Sequence, residues 1–401
     1  MLKRLLAVSI LVFLSVPARG WHEEDHEAMT RLSLEETARE WGLTRPCPVK
    51  PLQSLLDKLA RLRPEIGDRW HFSDYLKVNP KIDLEKSDPK IKGRRQLTPL
   101  EILSLYSDDP DDGRDQDLFV RDERGSPRPA YPDQKWFGVL EGPDSQAFRH
   151  MEKPPLSLRH IESTFGFPFR TLGEATLRAE IYFQASLLAF SLDEPYWGWR
   201  LLAGALHYIG DLHQPFHSAQ ITPFLVKKCL DAYLSWGLKK KGLVGTCAHL
   251  VSNEHRFYER YVSSPALIEP RAREEALLAL KGVDSDLPEG SIQELAVKVR
   301  DTSNRHFPEL VRALAELGAP VLFTPYRFEN KDYDGEPSRF LKSDDGAKAA
   351  AGKIFEITQT QFESAGRAIR TVINSSLKNR EKKGAGEILE GLDRLLYPTS
   401  S

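Results

Sequence analysis

Apolar positions in this chain recur mostly at i, i+3 and i+4, the spacing of helices with one buried face. The pattern predicts helices over 26–42, 52–63, 173–191, 196–212, 249–263, 266–281, 291–317 and 346–377. Strict alternation is scarce and Asn-Gly hairpin signals are absent, so few strands are expected. Thr98-Pro99-Leu100-Glu101 reads as an N-cap followed by proline at the first helical position. The tail from Lys378 is charged, then weakly amphipathic. The expected fold class is all-α: one compact multi-helix domain over 21–401, built of roughly eight to ten helices.

One stretch breaks the pattern. Residues 77–156 are rich in Pro, Asp, Lys and Arg and include SDDPDDGRDQD at 107–117. They read as a long, loop-rich surface insertion with one or two short helices. The acidic run lacks the regular ligand spacing of a calcium loop, so a solvated loop is expected.

Composition adds bounds. A chain of 401 residues, 40% hydrophobic and 28% charged, can bury a sizeable core. Its net charge of -2 gives no global pull toward nucleic acid or an anionic membrane. Residues 1–20 start with Lys3 and Arg4, run apolar from Leu5 to Val16, and end in Ala18-Arg19-Gly20. That is the form of a secretory signal peptide cleaved between Gly20 and Trp21, and it predicts a secreted or periplasmic protein. The apolar run is short for a membrane span, and no later stretch is long and apolar enough for one. Of the three cysteines, Cys229 and Cys247 either close a short disulfide loop or remain free, and Cys47 is left over. A monomer is expected.

The strongest chemical signal is LHYIGDLHQPFHSA, Leu206 to Ala219. His207 and Asp211 lie four apart, on one helical face. Pro215 stops the helix near Gln214, and the chain can then offer His217 from another direction. Imidazoles and a carboxylate this close suit zinc or another borderline metal. The plainer alternative is a set of polar contacts at a buried helix end. His255 and Glu259 repeat the i, i+4 pairing in EHRFYER. His71 lies among aromatics in RWHFSDY, and Asp57 sits among leucines in LQSLLDKLA. An Asp on an apolar face needs a partner, although an exposed helix turn would serve as well. His22 and His26 fall in WHEEDH, directly after the leader.

Taken in order, Trp21, His26, Asp57, His71, His207-xxx-Asp211, His217 and His255-xxx-Glu259 resemble the superfamily of bacterial zinc-dependent phospholipases C and fungal-type single-strand-specific zinc nucleases. The resemblance covers Trp21 to Glu259. It implies a compact all-α enzyme with three zinc ions. Asp57, His71, His207 and Asp211 would hold the first; His217, His255 and Glu259 the second. The α-amine and carbonyl of Trp21, with His26 and a shared Asp211, would hold the third. Asp57 would also orient or deprotonate the attacking water. His213 and His22 match no ligand position.

The substrate signs are mixed. The Glu of His255-xxx-Glu259 and the Asp57–His71 gap resemble the phospholipases; the short Trp21–His26 gap and HQPFH resemble the nucleases. Residues 224–244 place Lys227, Lys228, Lys239, Lys240 and Lys241 near Phe224, Leu230, Tyr233, Leu234 and Trp236. Such a basic amphipathic stretch can make peripheral membrane contact or track a nucleic-acid backbone with stacked bases. A solvated helix packing one face is the plain alternative. The expectation is a phospholipase C acting on glycerophospholipids. A single-strand-specific endonuclease or 3'-nucleotidase is the runner-up, and an inactive zinc-stabilised binding protein the third reading.

Overall fold

The computed structural model describes residues 23–62, 90–91, 93–111, 115, 149–153, 172–219, 221–236, 242–263, 270–286, 290–318, 320–323 and 341–396. The leader, Trp21, His22, His71 and Lys239 to Lys241 lie outside the described residues. In chain order the elements are α1 (Glu23–Leu34), β1 (Cys47–Pro48), α2 (Leu52–Leu62), β2 (Gln96–Leu97), α3 (Pro99–Tyr106), β3 (Glu152–Lys153) and β4 (Leu172–Gly173). They continue with α4 (Ala175–Ser191), α5 (Pro195–Leu212), α6 (Pro215–Ser218), α7 (Pro223–Trp236) and α8 (Gly242–Ser263). The last are α9 (Pro270–Leu278), α10 (Ile292–Leu317), α11 (Asp345–Asn379) and α12 (Ala385–Leu396). Helix takes 74% of the interpretable residues and strand 4%, so the fold is all-α. Among the described residues the strands form two antiparallel pairs, β1 with β2 and β3 with β4.

Helix α5 is apolar nearly all round, and every residue from Tyr196 to Leu212 is buried. A helix of that kind must be covered on all sides. Its main partner is α4; α3, α11, α10, α1 and α6 also contact it. The polar residues at its far end, His207, Asp211 and His213, are therefore carried into the interior.

Most predicted helices form within a few residues of their expected ends. Two differ more: α8 starts at Gly242, well ahead of the expected 249, and 26–42 is not one regular helix. The regular helix stops at Leu34, and a series of turns carries the chain on to Gly42. Gly42 adopts φ 71, a conformation that favours glycine, and the Leu43 amide reaches back to the Ala38 carbonyl at 2.8 Å. The Thr98 signal is realised as a capping box with Glu101 that starts α3.

The surface-insertion reading of 77–156 needs correction for its described parts. Leu97, Ile102, Leu103 and Tyr106 are in the core, and Asp109, Asp111, Asp115, Arg149, His150, Glu152 and Lys153 are buried. In the described part of the acidic run, Asp109, Asp111 and Asp115 are buried rather than solvated. Asp109 pairs with Arg200 at 2.9 Å, and Asp115 pairs with Arg149 at 2.7 Å. Buried carboxylates persist where such partners compensate the loss of water.

Cys47, Cys229 and Cys247 are all buried and free. Cys229 on α7 and Cys247 on α8 lie in the buried contact between these two helices, and the Cys247 thiol helps keep that of Cys229 protonated. Among the described residues no helix is long and apolar enough to cross a membrane.

Candidate metal centre

The centre forms around the C-terminal end of α5. His207 and Asp211 are one turn apart, with His207 Nε2 3.1 Å from Asp211 Oδ2. His207 Nδ1 donates to the Ser107 carbonyl at 2.7 Å, which turns Nε2 toward Asp211. Helix α1 brings His26 against Gly210. A Cβ there would sit 3.2 Å from the His26 ring, so the glycine admits the imidazole. His26 Nε2 is 3.4 Å from Asp211 Oδ1 and 3.8 Å from Asp111 Oδ2.

Asp111 lies in the turn after α3, and His150 lies two residues before β3. His150 Nδ1 is 2.9 Å from His207 Nε2, 3.0 Å from Asp211 Oδ2 and 3.4 Å from Asp111 Oδ1. All five side chains are buried.

A second group follows the proline break. Pro215 begins α6, and Gln214 caps it by accepting from the Phe216 amide at 2.6 Å. His217 Nδ1 donates to the His150 carbonyl at 2.7 Å and leaves Nε2 facing His255 Nε2 at 3.2 Å. His255 Nε2 is 2.7 Å from Glu259 Oε1, one turn further along α8. Phe216 stacks on His255, with ring centroids 5.3 Å apart. Asp211 Oδ1 lies 3.5 Å from His217 Nδ1 and so links the two groups.

Three sets of donor atoms lie close enough to hold a metal ion: His26, Asp111 and His207; His150, His207 and Asp211; His217, His255 and Glu259. Their chemistry fits a borderline divalent ion. So does their bonding. His26 Nε2 and Asp211 Oδ1 are buried and lack a hydrogen-bond partner, and they face each other across 3.4 Å. Buried orphan groups of this kind ask for an ion or a water.

The electrostatics differ between donors. Burial opposes charge on His207, but Asp211 and Asp111 outweigh it and raise its pKa to about 9. Burial, reinforced by His207, lowers His26 to about 4. Burial lowers His217 and His255 to about 3, with Lys153 adding to the effect in both. Burial also pushes Glu259 well above the usual carboxylate range, against the hydrogen bond from Gln214. Asp211 is held well below that range, because His207 and His217 outweigh its burial.

The structure thus brings together His26, His207, Asp211, His217, His255 and Glu259. It does not bring Asp57, and the roles expected of that residue need correction. Helix α2 buries Leu52, Leu55 and Leu59, so position 57 falls on the outer face. Asp57 is exposed there and accepts a hydrogen bond from Gln53 at 2.8 Å. The carboxylate beside His207 and His150 belongs to Asp111. Trp21 and His71 lie outside the described residues.

Asp111 and His150 escaped the sequence reading. A second Asp…His pair was present upstream of His207, but its Asp sat in a run of acids and its His in a stretch without helical period. His213 has a structural role. Its Nδ1 donates to the Ile209 carbonyl at 2.7 Å, and its Nε2 accepts from the Ser364 hydroxyl at 3.1 Å.

No family model, curated protein or solved structure matches this chain.

Proposed function

We propose that the protein is an exported zinc-dependent phosphodiester hydrolase holding three zinc ions, of the kind its motif order resembles. One observation carries the reading: His26, Asp111, His150, His207, Asp211, His217, His255 and Glu259 converge, buried, in three donor sets, two of which share His207. Zinc bound there would neutralise the phosphodiester and lower the pKa of a bound water toward ~7. His150, His207, Asp211 and Asp111 would hold the first ion. His217, His255 and Glu259 would hold the second. Trp21, through its α-amine and carbonyl, would join His26 and Asp211 at the third. Asp111 takes over from Asp57 the task of orienting the attacking water and accepting its proton.

A glycerophospholipid is the preferred substrate, which makes the reaction that of a phospholipase C. Helix α7 supports this choice. Leu230 and Leu234, one turn apart, are 41% and 70% exposed, and Lys227 is exposed beside them. Exposed leucines suit a lipid surface better than a nucleic-acid backbone, and Lys227 beside them is ion-paired with Asp231 at 2.7 Å.

The test is zinc content together with hydrolysis of bis-(p-nitrophenyl) phosphate, phosphatidylcholine vesicles and single-stranded DNA. Zinc loading with vesicle turnover supports the proposal. Zinc loading without hydrolysis favours the binding-protein reading, and DNA cleavage without lipid turnover favours the nuclease. Leu234→Glu should lower vesicle turnover by about tenfold or more while sparing the soluble ester, since a buried leucine is worth ~1.5–3 kcal/mol.

A further inference from the structure

The donor histidines differ in what holds their outward nitrogen. His207 and His217 each give theirs to a backbone carbonyl, those of Ser107 and His150. His150 has no such carbonyl. Its Nδ1 points at Asp211, His207 and Asp111, and its Nε2 is buried without a hydrogen-bond partner. The acidic group nearest that nitrogen is Asp115, whose Oδ2 lies 3.8 Å away. Asp115 Oδ1 is also buried without a partner. A buried ring nitrogen and a buried carboxylate oxygen, both without a hydrogen-bond partner, thus belong to two neighbouring side chains.

Asp115 is itself firmly held. Its Oδ2 accepts from Arg149 Nε at 2.7 Å, Arg178 Nη1 at 3.3 Å and the Tyr208 hydroxyl at 2.5 Å. Two guanidiniums on one carboxylate keep it charged, and the Tyr208 bond fixes it to α5 beside His207. The position is wholly buried. A charged carboxylate without a mate for its second oxygen is a costly arrangement unless something completes it.

We infer that Asp115 is a positioning residue for His150. It accepts the Nε2 proton and fixes the ring with Nδ1 presented to the metal centre. Carboxylates behind metal-bound imidazoles act in this way, by setting the tautomer and raising donor strength. Arg149, Arg178 and Tyr208 form the frame that keeps Asp115 in place. The inference rests on the zinc reading above only for its metal readout.

The experiment compares the full-length wild-type chain with Asp115→Asn and Asp115→Glu, using zinc as the probe in a chelator competition. Asp115→Asn removes the acceptor charge. Asp115→Glu keeps a countercharge for Arg149 and Arg178 but displaces the carboxylate from His150, so it serves where Asp115→Asn fails to fold. The expected result is zinc affinity lowered about 10–100-fold at the His150 group, with the His217–His255–Glu259 group unchanged. Unchanged affinity in a folded variant overturns the inference. A metal-independent readout separates its failure from that of the zinc reading. Nitrogen NMR of the metal-free wild type should show His150 Nε2 protonated and protected from solvent exchange, and the variant should lose that protection. A wild-type ring without a proton on Nε2 also overturns it.

Discussion

The two donor groups of the centre are built in opposite ways. His217, His255 and Glu259 come from two helices, α6 and α8, and half of the geometry is a single helical repeat on α8. His26, Asp111, His150, His207 and Asp211 come from α1, the turn after α3, the segment just ahead of β3, and α5. The first arrangement needs little more than local structure and a helix contact. The second exists only when distant segments pack together, and it leans on a buried charge network at Asp115. Local construction leaves a readable sequence signature, and long-range construction leaves almost none.

Asp211 is where that contrast can be broken most completely. It touches His26, His150, His207 and His217, so it belongs to both constructions. Asp211→Asn should abolish hydrolysis of bis-(p-nitrophenyl) phosphate. Losing several kcal/mol of charge stabilisation corresponds to about three orders of magnitude in rate. Retention of more than a tenth of the activity would show that the two groups are not coupled through this carboxylate.

A pair of carboxylates sharpens the contrast next. Asp111→Asn should reduce turnover about 100-fold, the scale of losing one well-placed stabilising or proton-transfer group. Asp57→Asn, on the exposed face of α2, should leave turnover within about twofold and stability within ~0.5 kcal/mol. Steady-state rates and thermal melts of the two variants decide between them. The reverse ranking would restore Asp57 to the site.

The smallest effect is on protonation in the metal-free protein. His207 should hold its proton up to about pH 9, while His217 and His255 stay neutral down to about pH 3. The raised pKa of His207 contributes stability that is fully present below its ordinary 6.5 and lost as the pH rises through about 9. The lowered values of His217 and His255 contribute stability present above 6.5 and lost as the pH falls toward about 3. Ring-proton NMR titration checks this directly. A common midpoint near 6.5 would mean that the two groups share one environment after all.

The all-α class was legible because it rests on periodicity, and periodicity is local. The pairs His207-xxx-Asp211 and His255-xxx-Glu259 were legible for the same reason: four residues return a helix to the same face. The break at Pro215, which redirects His217, was equally plain. Tertiary packing alone chose Asp111 and His150. Both carboxylates, Asp57 and Asp111, lay upstream of α5, and no spacing rule ranked them. The outcome was settled by which side of α2 met the core and by whether partners existed for buried charge. Leu52, Leu55 and Leu59 turned Asp57 outward, while the core packing of α3 and the frame of Arg149, Arg178 and Tyr208 drew the acidic run inward. Sequence fixes what a helix presents on each face; only the assembled interior decides which distant carboxylate and imidazole meet there.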